Sequence, residues 1–376
     1  MNFGLTEEQQ ILANVAKRFL DEKATMPKVR DVMESPTGFD SDLWSAMAEL
    51  GWLGLTIGED YGGAGLGWVD LAVLLETTGR GLLPSPLVSH SLCATAISEF
   101  GSDEQKRRLL PSLADGSSIG TVALVEDGEV LGPAGVELTG IPDGEGFRLS
   151  GKKAFVQDAG VATVFVIAFR APDGVRLGIV TAEGEGVKPH AYQTMDETKR
   201  MGDLVLDNAP IAGTDILAAE DGSTALNRLL DLGAVAVTAE MVGAMDRAHE
   251  ITTQYAKDRT QFGALIGKYQ GVKHPLAEIY VDIETSRSLV YYAAWCVTER
   301  PEELSVAAAR AKAYAGDAFK RLGVDGVQLH GAIGFTAEYD IQLYLKRSKW
   351  AFPAFGDPDY HYERVAAELV TAGGGS

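Results

Sequence analysis

Near the start of the chain, Ile11, Leu12, Val15, Ala16, Phe19 and Leu20 recur at helical spacing behind Thr6, Glu7 and Glu8. The pattern predicts an amphipathic helix over 6–20, with Thr6 as its N-cap and two acids in the first turn. The same periodicity predicts helices over 41–50, 69–77, 90–100 and 103–113. Between the second and third lies the glycine-rich stretch Glu59 to Gly65. It is not set between a strand and a helix, as a phosphate cradle is, and reads as a plain loop. At about Ile119 the texture changes. Short β-prone runs at 121–125, 136–138, 147–150, 164–169, 177–180 and 203–206 alternate with turns such as Pro142-Asp143-Gly144. Such alternation predicts a small barrel or sandwich. Long helical runs return after Ala218: a capped one from Ser223-Thr224 to about Asp258, then 274–299, 304–326, and a segment over 341–370 broken at Pro353 and Pro358. The first of these spans roughly 50 Å at about 1.5 Å per residue. Helices of that length on a soluble protein usually pack as a bundle that continues into a partner subunit.

The expected chain is therefore mostly α with a middle β domain: a helical domain over 1–118, a β domain over 119–218 and a helical bundle over 219–376. Its 376 residues, 46% hydrophobic and 23% charged, suit an ordinary globular protein of two or three domains. A net charge of −20 argues against a nucleic-acid partner. No apolar run approaches the roughly 20 residues of a membrane span. The first residues lack a basic segment followed by an apolar one, so no secretory signal is expected. Cys93 and Cys296 lie in apolar surroundings without metal-ligand spacing. Neither a disulfide framework nor a metal site is expected, and a reducing cytoplasm fits.

Two features resist a purely structural reading. Glu240 stands in the company of Val235, Val237, Ala239, Met241, Val242 and Met245. A carboxylate in such surroundings is costly, and its affinity for protons tends to rise, which suits a general base. The plainer alternative is a bundle glutamate paired with Arg228 or Arg247, or one facing solvent. Further along the same run comes Asp258-Arg259-Thr260-Gln261-Phe262-Gly263, a basic, glycine-broken end. An arginine fork suits phosphate oxygens, and Gly263 lets backbone approach a ligand closely. A helix C-terminal turn would use the same residues.

The motifs taken together resemble those of the acyl-CoA dehydrogenase family: Leu5-Thr6-Glu7-Glu8-Gln9, Glu59-Asp60-Tyr61-Gly62-Gly63, Tyr255 to Gly263, and Gln328-Leu329-His330-Gly331-Ala332-Ile333-Gly334-Phe335. The resemblance runs along essentially the whole chain. It implies an N-terminal helical domain, a β-barrel or sandwich and a C-terminal four-helix bundle, assembled as a tetramer. It also implies FAD-dependent α,β-desaturation of an acyl-CoA substrate, with electrons passed to an electron-transfer flavoprotein. Arg259, Gln261, Phe262 and Gly263 match the family's segment for the FAD pyrophosphate of a neighbouring subunit. Gln328, Gly331 and Gly334 match the segment on the adenosine side, and His330 stands where many relatives carry an apolar or aromatic residue.

The departures are as informative. Phe355 stands where the family's usual catalytic glutamate lies, and Gly233 occupies the alternative position; nearby Asp357 reads as a helix-capping residue. Glu240 lies two turns beyond Gly233, about 10 Å along the helix and on its face. Some heteromeric relatives place their base in a like position, so Glu240 is the candidate catalytic residue. The run Val122 to Val130 and the segment Ala154-Phe155-Val156-Gln157 differ from the family's flavin contacts, with Val156 replacing a hydroxyl. A half-kept flavin site resembles the smaller subunit of heterotetrameric pimeloyl-CoA or steroid-CoA dehydrogenases, completed by a second dehydrogenase-like chain. Two other readings stay open: a non-catalytic helper subunit, and flavin-linked thioester chemistry other than desaturation.

Overall fold

A computed structural model describes residues 4–217 and 221–373, so the domain junction expected at Ala218 lies outside the described residues. Six helices come first: α1 (Glu7–Lys23), α2 (Met26–Glu34), α3 (Ser41–Glu49), α4 (Trp68–Arg80), α5 (Leu87–Phe100) and α6 (Asp103–Ala114). Seven strands follow: β1 (Gly120–Ala123), β2 (Gly140–Asp143), β3 (Gly146–Gln157), β4 (Val164–Ala171), β5 (Gly174–Thr181), β6 (Val187–Tyr192) and β7 (Met201–Ile211). The C-terminal region is helical: α7 (Gly222–Asp258), a hairpin of β8 (Thr260–Gln261) and β9 (Ala264–Leu265), then α8 (Gln270–Glu299), α9 (Leu304–His330), α10 (Ile341–Ala351) and α11 (Pro358–Gly373). The expected succession of helical region, β domain and helical bundle is what the chain adopts.

Local chemistry explains the ends of the elements. Thr6 caps α1 in a reciprocal box: its hydroxyl accepts from the Gln9 amide, and the Gln9 side chain accepts from the Thr6 amide at 3.0 Å. The cap of α7 is Asp221, two to three residues earlier than Ser223-Thr224. The Asp221 carboxylate accepts from the Ser223 and Thr224 amides at 3.0 and 3.2 Å, because an acid at the N-cap outcompetes hydroxyls already inside the first turn. Asp357 caps α11 as expected, accepting from the Tyr360 amide at 2.8 Å.

The strands form two sheets, β1-β4-β5 and β2-β3-β7-β6. β1 runs parallel to β4 and the remaining pairs of both sheets are antiparallel. Their inward faces share one core that includes Leu149, Phe165, Ile167, Phe169, Leu204 and Leu206, a sandwich. Val136 and Leu138 are both buried, Leu138 in this core, but they lie in a loop, not a strand; β2 begins only at Gly140. No periodicity announces β6, since apart from Val187 its side chains reach solvent.

Packing groups these elements into two units. The first joins Met1–Arg30, Trp68–Leu83 and Ala234–Ser376; the second joins Asp31–Gly67 and Pro84–Gly233 and holds both sheets. Helix α7 begins in the second and continues into the first. No helix among the described residues is long and apolar enough to cross a membrane.

Candidate active site

Every residue of α7 from Leu229 to Met245 is buried, and the acids in that run are Asp231 and Glu240. Glu240 is 4% exposed. Arg247, one of its expected partners, pairs with Glu250 at 3.0 Å, and Arg228 pairs with Glu99. Burial excludes the solvent-facing alternative. What holds Glu240 is a crossing of backbones. A β-carbon on Gly79 of α4 would meet the Glu240 carbonyl oxygen at 2.2 Å and its Cα at 2.8 Å. One turn along, a β-carbon on Gly243 would meet the Glu76 carbonyl oxygen at 1.8 Å. The two helices touch through reciprocal glycines, an approach no larger residue permits.

Charged groups lock the same crossing. Glu76 accepts from Arg287 Nε at 2.9 Å and from the Tyr291 hydroxyl at 2.8 Å, and Arg80 pairs with Asp246 and Glu250. Burial and the adjoining Glu76 carboxylate hold the Tyr291 phenol above its ordinary range. Tyr344 donates to the Arg80 carbonyl at 2.7 Å, tying α10 to the end of α4.

About 28 Å further along α7, from nineteen residues at about 1.5 Å each, the helix stops and the chain turns back in the β8-β9 hairpin. Phe262 and Gly263 form its two-residue loop, both with positive φ, 51° and 79°. That is the geometry of a primed hairpin turn, which glycine accepts freely and phenylalanine only under strain. The strained Phe262 is 94% exposed. Arg259 and Gln261 are exposed beside it, and the Arg259 guanidinium has no carboxylate partner among the described residues. In a chain of net charge −20, an arginine left without an acid is a ready site for an anion.

The second expected segment reaches the same place. Tyr255, one turn before Arg259, donates from its hydroxyl to the His330 carbonyl at 3.3 Å, and the two rings lie 4.4 Å apart. Gln328 is exposed on the last turn of α9. Gly331 follows with φ 63°, and Gly334 is buried where a β-carbon would meet the Val327 carbonyl oxygen at 2.7 Å. His330 is a packing residue, 3% exposed, rather than a surface contact. The structure thus unites Arg259 to Gly263 with Gln328 to Gly334, while Glu240 sits well along the helix from both.

The loop over 352–357, where Phe355 stands, is held by two buried side chains. Lys312 on α9 donates to the Phe352 and Gly356 carbonyls at 2.9 and 2.7 Å, and His361 Nε2 donates to the Phe355 carbonyl at 2.9 Å. Phe355 itself has φ 55°. Burial pushes the Lys312 ammonium down to about 7, against the pull of Asp357. Burial, reinforced by Lys312 and Arg364, pushes the His361 imidazole down to about 3. In the second unit, burial takes His90 down to about 4; its Nε2 donates to the Leu113 carbonyl, and its Nδ1 accepts from the Gly120 amide. Both histidines are native as neutral rings. Since their folded values lie below the ordinary value of about 6.5, the unfolded chain binds more protons below that pH. The histidines' contribution to stability is whole above pH 6.5 and falls as pH drops toward 4 and 3, by up to about 1.4 kcal/mol per pH unit for each ring. Urea midpoints at pH 7 and pH 5 check this: the midpoint should drop, and by less in His90→Gln. Equal drops in both proteins would contradict the role of His90.

In the β domain, Glu126 accepts from the Leu138 amide at 3.0 Å and pairs with the fully buried Lys153 at 2.6 Å, a structural duty for part of the divergent run. Val156, expected to replace a flavin-facing hydroxyl, is 1% exposed and belongs to the sandwich core. The register irregularity between Lys153 and Val156 turns Phe155 outward instead, 41% exposed with φ 55°. No cluster of His, Cys, Asp and Glu among the described residues could hold a metal.

Family models agree with this arrangement. The acyl-CoA dehydrogenase N-terminal domain matches residues 6–117, and the acyl-CoA dehydrogenase C-terminal domain matches residues 220–370. The chain belongs to the acyl-CoA dehydrogenase family. It is 31% identical to acyl-CoA dehydrogenase IpdE2 of Mycolicibacterium smegmatis, covering 97% of this chain and 100% of the relative. Among solved structures it resembles a variant of the Tcur3481-Tcur3483 steroid ACAD, with 35% identity, a TM-score of 0.89, and 98% and 99% of the two chains covered. It also resembles the ChsE4-ChsE5 complex from Mycobacterium tuberculosis, with 28% identity, a TM-score of 0.91 and the same coverage. Acyl-CoA dehydrogenases are FAD-dependent oxidoreductases. The exposed Arg259 fork, the Phe262 hairpin and the glycine turn after α9 fit such a cofactor: a cation without an acid, a planar ring free to stack, and backbone open to close approach.

Proposed function

We propose that this chain takes part in FAD-dependent α,β-desaturation of an acyl-CoA thioester, as one subunit of an assembly with a second acyl-CoA dehydrogenase-like chain. The observation that carries the reading is the union of two cofactor segments through Tyr255 and His330, with Arg259 exposed and without an acid. Arg259 would hold phosphate oxygens, Gln261 and Phe262 would line the cofactor, and the backbone at Gln328, Gly331 and Gly334 would hold its adenosine side. When bound, FAD would supply the hydride acceptor, with an electron-transfer flavoprotein as the onward electron acceptor. Glu240 takes the α-proton from its buried position at the crossing with α4. The likeness to a steroid ACAD and to a two-chain complex points to a bulky CoA ester and to a partner chain.

The test is expression alone and with a dehydrogenase-like partner, followed by absorbance at the flavin bands and reduction of an artificial acceptor by CoA thioesters, a steroid-CoA ester among them. Yellow colour and acceptor reduction are expected in the paired preparation. A colourless pair would sink the flavin assignment, and a yellow pair that reduces no acceptor would favour thioester chemistry other than desaturation. The helper-subunit reading rests on Phe355 and Gly233 at the family's usual base positions, and it predicts activity that does not depend on Glu240.

A further inference from the structure

His330 is a costly residue for its place. Its Nδ1 lies 2.7 Å from the Gly326 carbonyl oxygen and so carries the proton, which leaves Nε2 as a bare acceptor. Nε2 is buried and has no partner among the described residues. A buried acceptor without a donor is destabilising, and a carbon ring would avoid the cost. What the imidazole does gain is two tilted ring contacts: Tyr255 at 4.4 Å and 33°, and Tyr339 at 5.0 Å and 54°. Tyr255 and Tyr339 are themselves 6.5 Å apart, which closes a triangle of rings. From beyond Tyr339, Arg30 clamps the following loop, donating to the Ala337 carbonyl at 2.5 Å and pairing with Asp340 at 2.7 Å.

We infer that the Tyr255–His330 stack is a clasp that makes the Arg259 hairpin and the Gln328–Gly334 turn one preformed grip. Its two rings come from residues 75 apart in sequence, and they sit within one helical turn of Arg259 and directly before Gly331. Without it, the tie between the end of α7 and the end of α9 is weaker, resting on the Tyr255 hydroxyl, the Tyr255–Tyr339 contact and packing at Thr252. With it, ordering one orders the other, and a ligand spanning both meets less entropic cost. That the ligand is FAD rests on the function proposed above; the coupling between the segments does not.

The experiment is amide exchange read by mass spectrometry on peptides covering 252–266 and 328–340, in the wild type, His330→Ala, His330→Phe and Tyr255→Leu. His330→Ala should speed exchange in both peptides roughly three- to tenfold, the scale of one lost aromatic pair. Tyr255→Leu should do the same from the other side, and so serves if His330→Ala fails to fold. His330→Phe keeps a ring in the stack and should leave both peptides protected. Loosening confined to the peptide that carries the substitution overturns the clasp. A parallel FAD titration of the assembled protein should show affinity weakened by a similar factor in His330→Ala and restored in His330→Phe. Coupled exchange in a protein that binds no FAD would leave the clasp standing and remove the cofactor reading.

Discussion

Replacing Glu240 by glutamine should cut the turnover of a CoA thioester roughly 10²- to 10⁴-fold, the usual contribution of a positioned general base. Glutamine is nearly isosteric and keeps the hydrogen-bonding reach of the side chain, so helix packing at Gly79 is undisturbed. The flavin bands and the melting temperature should therefore stay close to wild type, because Arg259 and the glycine turn are about 28 Å away along the bundle. Steady-state reduction of an artificial acceptor checks the first expectation, and the absorbance spectrum checks the second. Unchanged turnover would assign this chain to the helper role and move the base to its partner.

Gly243→Ala should destabilise the protein by about 1–3 kcal/mol, although alanine is the better helix former by about 1 kcal/mol. The packing effect wins because of what the new methyl would strike. At 1.8 Å from the Glu76 carbonyl oxygen and 3.0 Å from the Arg80 amide, it meets backbone, which cannot swing aside as a side-chain tip can. Helices α4 and α7 must move apart, and the ion pairs of Glu76 with Arg287 and of Arg80 with Asp246 stretch with them. Gly271→Ala is the matched control, since a β-carbon there meets nothing within 4 Å on α8. Urea unfolding should show the first variant weakened and the second unchanged or slightly strengthened. Gly243→Ala at wild-type stability would mean that the crossing is slack. The prediction also bears on catalysis, because the reciprocal contact at Gly79 falls on the backbone of Glu240 itself.

Long helices were readable from the sequence because periodicity survives over many turns, as in α1 and α9, and because α7 is apolar all round over its buried middle. The proposed cofactor segments were readable as motifs, and the structure adds that they meet. That meeting could not be read, since it depends on Tyr255 and His330 finding each other across 75 residues. Nor could the glycine crossing, where the informative atoms are backbone and the residue type is the absence of a side chain. The β region was read less well for a different reason. Val136 and Leu138 are as apolar as any strand yet fill the core from a loop, while β6 is a strand with mostly exposed side chains. Burial and pairing are separate properties there, and a two-residue alternation reports only the first. Val156 shows the same limit at one residue: an irregularity in β3 decides which neighbour faces outward, and the sequence carries no mark of it.

The most direct test of the account is exchange of the substrate α-hydrogen in deuterated water, without an electron acceptor, followed by mass spectrometry of a saturated CoA thioester that the yellow assembly turns over. Wild-type assembly should wash deuterium into the α-carbon, and the Glu240→Gln assembly, equally yellow, should not do so above the rate in buffer. Deuterium incorporation at the wild-type rate in Glu240→Gln would show that another group removes the proton.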